Sequence, residues 1–153
     1  MKKLIVICLT LVMITPLFAD ENVSDEELIK NVIQTAYVEG LQNEGDFEKI
    51  DAGFHPDFEL IGIGKGDEMW HLPISEWKER VKDKLKKGEL PRKEDENISI
   101  KFLDVDITGT VAVAKFEFYV GKELKYIDYQ SLYKFESGWK IVSKVFYKFP
   151  AKD

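Results

Sequence analysis

The sequence predicts an α+β domain in which three helices from the N-terminal half pack on one face of a curved, mostly antiparallel sheet. Apolar residues recur at helical spacing in three segments of the first half, and they alternate with polar residues through residues 98–148, as in strands. Pairs of turn-forming residues divide this second stretch into four strands; the pairs are Thr108-Gly109, Gly121-Lys122 and Ser137-Gly138.

The first helix is predicted to run from about Asp25 to Gln42. Ser24 and Glu27 have the spacing of a capping box, in which each side chain accepts a hydrogen bond from the other residue's backbone N–H. The apolar residues of this segment fall on one stripe, which indicates a single buried face. The stripe consists of Leu28, Ile29, Val32, Ile33, Ala36, Tyr37, Gly40 and Leu41.

Two shorter helices are predicted after it. Asp46 is expected to cap a second helix that ends at Phe54, because the residue before Pro56 disfavours helical geometry. Ser75 is expected to cap a third helix that ends before Gly88. Between these helices we expect a strand over residues 58–63 and a short extended segment over residues 69–72.

The strand region contains one irregularity that the sequence reveals. Apolar positions alternate on one parity up to Phe102 and on the other from Leu103, which predicts a β-bulge at this point.

The composition excludes several classes of protein. Of the 153 residues, 44% are hydrophobic and 33% are charged, as in an ordinary globular domain, and the length suits one domain. The chain has 22 basic and 28 acidic residues, a net charge of −6, whereas binders of nucleic acids or anionic membranes carry a basic excess. A single cysteine, Cys8, excludes a disulfide framework and a cysteine-rich zinc site.

The first 19 residues have the pattern of a secretory signal peptide. A basic start at Lys2-Lys3 precedes an apolar run over residues 4–14, and Ala19 stands directly before the expected cut. The run is shorter than the roughly 20 residues that a transmembrane helix needs. We expect export to the periplasm or the medium and a mature domain of residues 20–153. The alternative is that the run forms a buried N-terminal strand.

Several motifs carry a resemblance to a known family. They are Tyr37-Val38-Glu39-Gly40, Gly45-Asp46, Phe54-His55-Pro56-Asp57, Asp128-Tyr129-Gln130-Ser131-Leu132 and Gly138-Trp139-Lys140-Ile141-Val142-Ser143-Lys144. With these the chain resembles the nuclear transport factor 2-like superfamily, which has a cystatin-like fold, and within it the exported proteins called putative lumazine-binding or SnoaL-like. The resemblance implies a cone-shaped fold with an internal pocket and a sheet through which copies pair. Because this fold hosts enzymes, binders and assembly domains, it leaves the function open.

The turn positions predict which side chains face the pocket. Two-residue turns at Gly121-Lys122 and Ser137-Gly138 would place Ser131 opposite Lys144, and residues that pair across strands share a face. The concave face would then carry Ala112, Ala114, Phe116, Phe118, Ile127, Tyr129, Ser131, Tyr133, Val142, Lys144 and Phe146. The convex face would carry Val111, Val113, Lys115, Glu117, Tyr126, Asp128, Gln130, Ile141, Ser143, Val145 and Tyr147, with an ion pair between Lys115 and Asp128.

The candidate ligand-binding residues are Tyr37, Trp70, Phe116, Phe118, Tyr129, Ser131, Tyr133 and Lys144. A lysine on an apolar face needs a partner or loses its proton, so Lys144 is either the anchor of an acidic or carbonyl-bearing ligand, or a member of an ion pair, or a residue at the open rim. Tyr37 is either a hydrogen-bond donor in the pocket or a core residue. Trp70 is either a stacking wall for a flat ring or a packed lid.

No catalytic or metal-binding pattern is visible. The two histidines, His55 and His71, have no suitably spaced carboxylate partner, and no nucleophile elbow or phosphate loop occurs, so we expect no metal and no cofactor. Ketosteroid isomerase, a member of the superfamily, uses an aspartate base and a protonated aspartic acid. Those positions fall near Gly62 and Ser131 here, and neither is a carboxylate.

We therefore expect an exported protein that binds a small, flat or acidic molecule without catalysing a reaction. One alternative is an enzyme of isomerase, dehydratase or hydrolase type that uses Tyr37 and Lys144 in the same pocket. Another is a structural or assembly domain that dimerises through its sheet. A homodimer is expected, and no nucleic acid or membrane partner is expected after removal of the signal peptide.

Overall fold

The computed structural model describes residues 23–150, so the predicted signal peptide lies outside the described part of the chain. The helices are α1 (Asp25–Val32), which continues as a π-helical stretch (Ile33–Glu44), α2 (Phe47–Gly53), α3 (Ile74–Lys86) and a single 3₁₀ turn (Glu94–Glu96). The strands are β1 (Phe54–Ile63), β2 (Met69–Pro73), β3 (Ile98–Thr108), β4 (Val111–Val120), β5 (Glu123–Phe135) and β6 (Gly138–Lys148).

The six strands form one sheet in the order β2-β1-β6-β5-β4-β3. All neighbouring strands are antiparallel except β1 and β6, which are parallel. Between these two strands the chain runs through β2, α3 and the strands β3 to β5. The helices cover one face of the curved sheet, and a single hydrophobic core lies between the two layers. The predicted α+β fold, with three helices on a curved and mostly antiparallel sheet, is confirmed.

The first helix begins as predicted. The Ser24 side chain accepts from the backbone N–H of Glu27, and the Glu27 side chain accepts from the backbone N–H of Ser24. In the π-helical stretch, three consecutive residues are buried, Ala36, Tyr37 and Val38. A π-helix fits more residues into each turn than an α-helix, and such stretches often lie at functional sites. Here the stretch turns Tyr37 fully into the core.

Two predicted boundaries were wrong. Strand β1 begins at Phe54 and not at Phe58, so it includes Pro56, where we expected only the end of the second helix. Pro56 is tolerated because the pairing with β6 is interrupted between Phe54 and Glu59, so the ladder needs no N–H donor there. Helix α3 has Pro73, not Ser75, as its N-cap, because the extended backbone of Pro73 (φ −61°, ψ 151°) leads directly into the buried Ile74.

The bulge predicted at Leu103 is confirmed, since Phe102 pairs with Phe116 and Asp104 with Lys115. The turn at Gly121-Lys122 is also confirmed, since Val120 pairs with Glu123.

A second bulge in β5 overturns the predicted faces. Tyr119 pairs with Leu124 but Phe118 pairs with Tyr126, so Lys125 is an extra residue on β5. Every residue of β5 beyond it therefore faces opposite to our prediction. Tyr126, Asp128, Gln130 and Leu132 share the concave face with Phe116 and Phe118, and Ile127, Tyr129, Ser131 and Tyr133 lie on the convex face.

The last hairpin differs in two ways. Its turn lies one residue earlier than predicted, because Phe135 pairs with Gly138, and β6 has its own bulge at Val142. Ile141, predicted to be convex, is fully buried on the concave face. Lys144 is concave, as predicted, but its cross-strand partner is Gln130 and not Ser131.

Candidate ligand-binding site

The open end of the cone contains a cavity of about 660 Å³. It lies between the π-helical stretch and α3 on one side and the ends of β4, β5 and β6 on the other. Seven of its lining residues are aromatic: Tyr37, Trp70, Trp77, Phe118, Tyr126, Phe146 and Tyr147. The aliphatic residues are Leu60, Ile63, Ile98 and Val120, and the polar ones are Gln42, Lys84, Arg92, Lys144 and Lys148.

Three polar side chains meet at the floor of the cavity, where Tyr37 and Lys144 line it and Asp128 lies buried behind them. The Lys144 Nζ lies 2.7 Å from Asp128 Oδ2 and donates to Tyr37 Oη at 2.5 Å. The Tyr37 hydroxyl in turn donates to Asp128 Oδ2 at 2.8 Å. Asp128 is 0% exposed, Tyr37 1% and Lys144 6%, so the triangle is almost completely shielded from water. An ion pair this deeply buried needs such additional hydrogen bonds to offset its desolvation.

Aromatic rings surround the Lys144 ammonium on its remaining sides. Its Nζ lies 4.8 Å from the ring centre of Tyr37, 5.6 Å from that of Phe118 and 5.4 Å from that of Phe146. Rings at such distances attract a cation through their negative faces. The cage therefore stabilises the charge while it presents apolar edges to the cavity.

Burial dominates the acid–base behaviour of these groups. It raises the pKa of Asp128, against the attraction of Lys144 and the hydrogen bonds from Lys144 and Tyr37. It lowers the pKa of Lys144, against the attraction of Asp128. Burial and the Asp128 charge together raise the pKa of Tyr37 well above its usual value. Tyr37 therefore remains a protonated donor at neutral pH.

The floor also holds unused hydrogen-bonding capacity. Asp128 Oδ1 and both amide atoms of Gln130 have no hydrogen-bond partner among the described residues, although they are buried. Gln130 is 0% exposed and lies two residues after Asp128 on the concave face. Buried polar atoms of this kind are costly unless they are satisfied.

The wall formed by β1 and β2 depends on one glycine. The Trp70 indole lies across Gly62, its cross-strand partner, and donates from Nε1 to the Ile63 carbonyl at 3.1 Å. A Cβ atom on Gly62 would lie 2.0 Å from Trp70 Cζ2, so no larger residue fits beneath the ring. Trp70 is 38% exposed and its ring centre lies 6.0 Å from that of Phe146. Trp70 thus forms part of the rim.

Two cations stand near the mouth. Arg92 donates from Nε to the Gln42 carbonyl at 2.8 Å, and its backbone N–H donates to the Asn43 carbonyl at 2.8 Å, which fastens the loop after α3 to the π-helical stretch. Lys84, in the last turns of α3, also lines the cavity. Burial lowers the pKa of Lys84, and the neighbouring Arg92 charge lowers it further.

The eight predicted site residues lie in three locations: the cavity wall, the core behind it and the convex face of the sheet. Tyr37, Trp70, Phe118 and Lys144 line the cavity. Phe116 is buried behind it, with its ring centre 6.1 Å from that of Tyr37. The concave placement predicted for Tyr129, Ser131 and Tyr133 was wrong, because the bulge at Lys125 turns them to the convex face. A role in ligand binding stays a prediction for the four residues that line the cavity.

Sequence reasoning missed the partner of Lys144. The predicted ion pair between Lys115 and Asp128 was wrong, since Asp128 lies inside and the Lys115 ammonium lies 5.5 Å from the centre of the Tyr129 ring. A signal was available, because a lysine on an apolar face requires a nearby acid, and Asp128 needed only a one-residue shift to supply it. Trp77 and Tyr126 were also missed as lining residues.

The histidines lie elsewhere. His55 stacks on Phe135, with ring centres 4.9 Å apart, and His71 Nδ1 lies 2.8 Å from Glu59 Oε2. Within residues 23–150 no three histidine, cysteine or acidic side chains come together as metal ligands. Over the same range no helix has the length and apolar character needed to cross a bilayer.

Solved structures establish the class of fold. A protein of unknown function from Shewanella baltica OS155, described as NTF2-like (nuclear transport factor 2-like), is 20% identical, with 83% of this chain and 95% of that chain covered and a TM-score of 0.64. Another from Methylobacillus flagellatus KT is 27% identical, with coverage of 84% and 97% and a TM-score of 0.59. A protein from Streptomyces avermitilis, described as a putative dehydratase of the same class, is 16% identical, with coverage of 83% and 97% and a TM-score of 0.53.

The fold is therefore nuclear transport factor 2-like, as the sequence motifs predicted. Residues 24–147 also match the family described as "Putative lumazine-binding", and the chain belongs to that family. No protein of curated function matches the chain.

Proposed function

We propose that this protein binds a small, flat and largely apolar molecule in the cavity at the open end of the cone and does not transform it. The observation that carries the proposal is the lining of that cavity, in which seven aromatic side chains surround a space of about 660 Å³. Sites for small molecules commonly have volumes of roughly 300–1,000 Å³ and mostly apolar walls with a few fixed polar groups.

The flat shape of the ligand follows from where the rings lie. Trp70 forms one edge of the cavity and Phe146 lies against it, while Trp77 lies on the opposite, helical side. Planar ligands gain most from such walls because they stack or make edge contacts with several rings at once. The family is named for lumazine, a planar bicyclic ring, and that name supports the same class of ligand.

The floor favours binding over catalysis. The Lys144 ammonium is paired with Asp128, hydrogen-bonded to Tyr37 and enclosed by rings, and in this protonated form it has no lone pair with which to act as a nucleophile or base. The Tyr37 hydroxyl already donates a hydrogen bond to Asp128. An enzyme that uses Tyr37 and Lys144 remains the second candidate, because a buried cluster of titratable groups with shifted pKa values is typical of active sites.

The proposal is tested with lumazine itself. Calorimetric titration should show saturable binding, and replacement of Phe118 or Trp70 by alanine should weaken it, since one ring contact contributes roughly 1–3 kcal/mol, about 5- to 150-fold in affinity. Tyr133→Ala, which removes an aromatic ring from the convex face, is the matched control and should bind as the wild type does. Equal losses in all three variants, or conversion of lumazine to a product, would contradict the proposal.

Export is part of the proposal. The basic start and the apolar run of residues 4–14 support removal of residues 1–19. Intact-mass measurement on protein recovered from outside the cytoplasm should give a chain that begins at Asp20. A protein that retains Met1 there would contradict it.

Homodimer formation through the convex face completes the proposal. That face exposes large apolar side chains in one area of the sheet, and they are Val111, Val113, Tyr129, Tyr133, Val145 and Tyr147. Contiguous exposed apolar surface of this kind is typical of an interaction site.

A further inference from the structure

The cavity lining has an unusual charge. Four of its residues are cationic, and none of the described residues that line it is an aspartate or a glutamate. The whole chain nevertheless carries a net charge of −6. A single-sign lining in a protein of the opposite overall sign indicates a site that selects a charged group.

Lys144 does not supply the available charge. Its ammonium is 2.7 Å from Asp128 Oδ2, and the two charges cancel at the floor. An anion placed there would face the Asp128 carboxylate as well as the ammonium. One reading of the sequence was that Lys144 anchors an acidic ligand. Because Asp128 already pairs with Lys144, we place the anionic group of the ligand nearer the mouth of the cavity.

Three lining cations remain, and of these Lys148 is exposed at the end of β6, whereas Lys84 and Arg92 are partly buried. Neither forms an ion pair with an acidic side chain within residues 23–150. Arg92 is held in place through its Nε, which donates to the Gln42 carbonyl, and this leaves the two terminal nitrogens of the guanidinium as donors. Both residues line the same cavity, and both are partly buried.

The two cations are close enough to repel one another. The Arg92 charge contributes to the lowered pKa of Lys84, after burial, and the attraction of Glu89 opposes it only in part. An anion that binds between two like charges lowers their mutual repulsion and forms charge-assisted hydrogen bonds with both.

We propose that Lys84 and Arg92 form a subsite for the carboxylate of the ligand, so that the natural ligand is a planar aromatic acid. This inference rests on the proposed binding function and names the chemical class of its ligand. The carboxylate lies between the Lys84 ammonium and the Arg92 guanidinium at the mouth, and the ring extends inward among the aromatic side chains. A singly charged group fits better than a dianion, because Glu89 and the negative end of α3 are close to Lys84.

The experiment compares two probes that differ only in charge. 2-Naphthoate and 2-naphthamide have the same ring and nearly the same shape, and calorimetry measures the affinity of the purified protein for each. We expect the wild type to bind 2-naphthoate about five- to tenfold more tightly, the size of one charge-assisted hydrogen bond in a partly exposed site. Lys84→Met should abolish this preference and leave the affinity for 2-naphthamide within about twofold.

Lys86→Met is the matched control. It lies two residues further along the same helix, removes the same charge, and does not line the cavity. It should retain the preference for 2-naphthoate. Arg92→Gln should lower the preference as Lys84→Met does, and a thermal melt checks that the loop it fastens remains folded.

The outcomes separate the two proposals. Equal binding of both probes by the wild type would overturn the carboxylate subsite and leave the binding function standing. The carboxylate subsite would also be overturned if Lys86→Met abolished the preference for 2-naphthoate as fully as Lys84→Met does. If neither probe binds, the binding function itself fails, and the subsite fails with it.

Discussion

At the scale of single residues, the charge on Lys144 is compensated by one carboxylate oxygen and one hydroxyl. Asp128 Oδ2 receives hydrogen bonds from both Lys144 and Tyr37, while Asp128 Oδ1 has no partner among the described residues. Removal of either charged member leaves the other buried alone, which costs far more than loss of a surface pair. The triangle therefore acts as one unit in folding.

Asp128→Asn should destabilise the protein by about 3–5 kcal/mol, because the Lys144 ammonium then lacks a counter-charge. The double variant Asp128→Asn with Lys144→Met should recover most of that loss, since no buried charge remains. Urea unfolding of the wild type, both single variants and the double variant gives the coupling energy. A coupling below about 1 kcal/mol, as in exposed pairs, would show that the triangle is not a structural ion pair.

Lys144→Met alone should lose stability as the pH rises. Burial already raises the pKa of Asp128 above its ordinary 3.8, and the variant removes the Lys144 charge that opposes this rise. The folded variant then holds a proton that the unfolded chain releases, so its deficit relative to the wild type should grow as the pH rises above the ordinary carboxyl pKa of 3.8. Thermal melts from acid to neutral pH measure the deficit, and a deficit independent of pH would count against a buried carboxylate.

At the scale of secondary-structure elements, α1 is tied to the last hairpin through its first residue. Asp25 Oδ1 accepts from Lys134 Nζ at 2.7 Å and from Trp139 Nε1 at 2.9 Å. The hydrogen bonds from Lys134 and then Trp139 lower the pKa of Asp25. The same carboxylate lies in the first turn of α1, where a negative charge is favourable.

Asp25→Asn should therefore lower the melting temperature by a few degrees at pH 7. A lowered pKa means that the stabilisation is present above the ordinary value of 3.8 and is lost as the pH falls through the folded-state value. The melting temperatures of variant and wild type should converge as the pH falls below about 3.8. Glu26→Gln, in the same helical turn, is the control, and an identical pH profile for both variants would contradict the role of Asp25.

The β1–β2 hairpin offers a test of the rim. Gly62→Ala would place a methyl group within the Trp70 ring, so the indole must leave its position over the strand. We expect a red-shifted tryptophan emission and loss of most of the binding of lumazine, with a stability loss of only about 1 kcal/mol because the ring is partly exposed. Gly66→Ala is the control, since a Cβ there meets nothing, although its positive φ adds a small strain. Unchanged emission from Gly62→Ala would contradict the placement of Trp70.

The strands show why the site was harder to predict than the fold. The bulge at Leu103 was visible because clean apolar alternation flanks it on both sides. Around Lys125 large side chains, including Tyr126 and Ile127, occupy odd and even positions alike. The sequence there does not indicate which positions face the core. One unseen residue was enough to reverse the faces of β5.

Lys144 was placed correctly because two errors cancelled. The unseen bulge at Lys125 inverted β5, and the misplaced turn together with the bulge at Val142 inverted the pairing of β6 with it. The capping of α1 and the order of elements depend on local residues, and local patterns predicted them well. The identity of the lysine's partner depends on long-range register, which the local pattern does not encode.

At the scale of the whole molecule, the two faces of the sheet have different chemistry. The concave face carries the core and the cavity, and the convex face exposes apolar side chains such as Val145, which is 47% exposed. Lys115 and Glu117 lie on the same face and add polar groups to it. Interfaces between identical subunits commonly combine an apolar centre with a polar rim.

Val145→Glu should convert the proposed dimer to a monomer. A C₂ interface brings the same patch together twice, so one substitution places two like charges in the apolar centre. Light scattering should give the mass of a dimer for the wild type and of a monomer for the variant, with little change in melting temperature. Ser75→Glu, exposed at the start of α3, is the control and should remain dimeric. A monomeric wild type at high concentration would contradict the dimer.

The position of Asp25 also determines how the molecule can be attached to something else. Its partners Lys134 and Trp139 lie beside the β5–β6 turn, whereas the cavity is lined by residues such as Tyr126, about 25 Å away along β5. Strand β6 ends at Lys148, which belongs to the cavity lining. A tether joined ahead of α1 therefore holds the cone by its closed end and leaves the mouth directed outward, while a bulky fusion joined behind β6 begins at the rim. Immobilisation through the N-terminal side should preserve ligand uptake on a sensor surface.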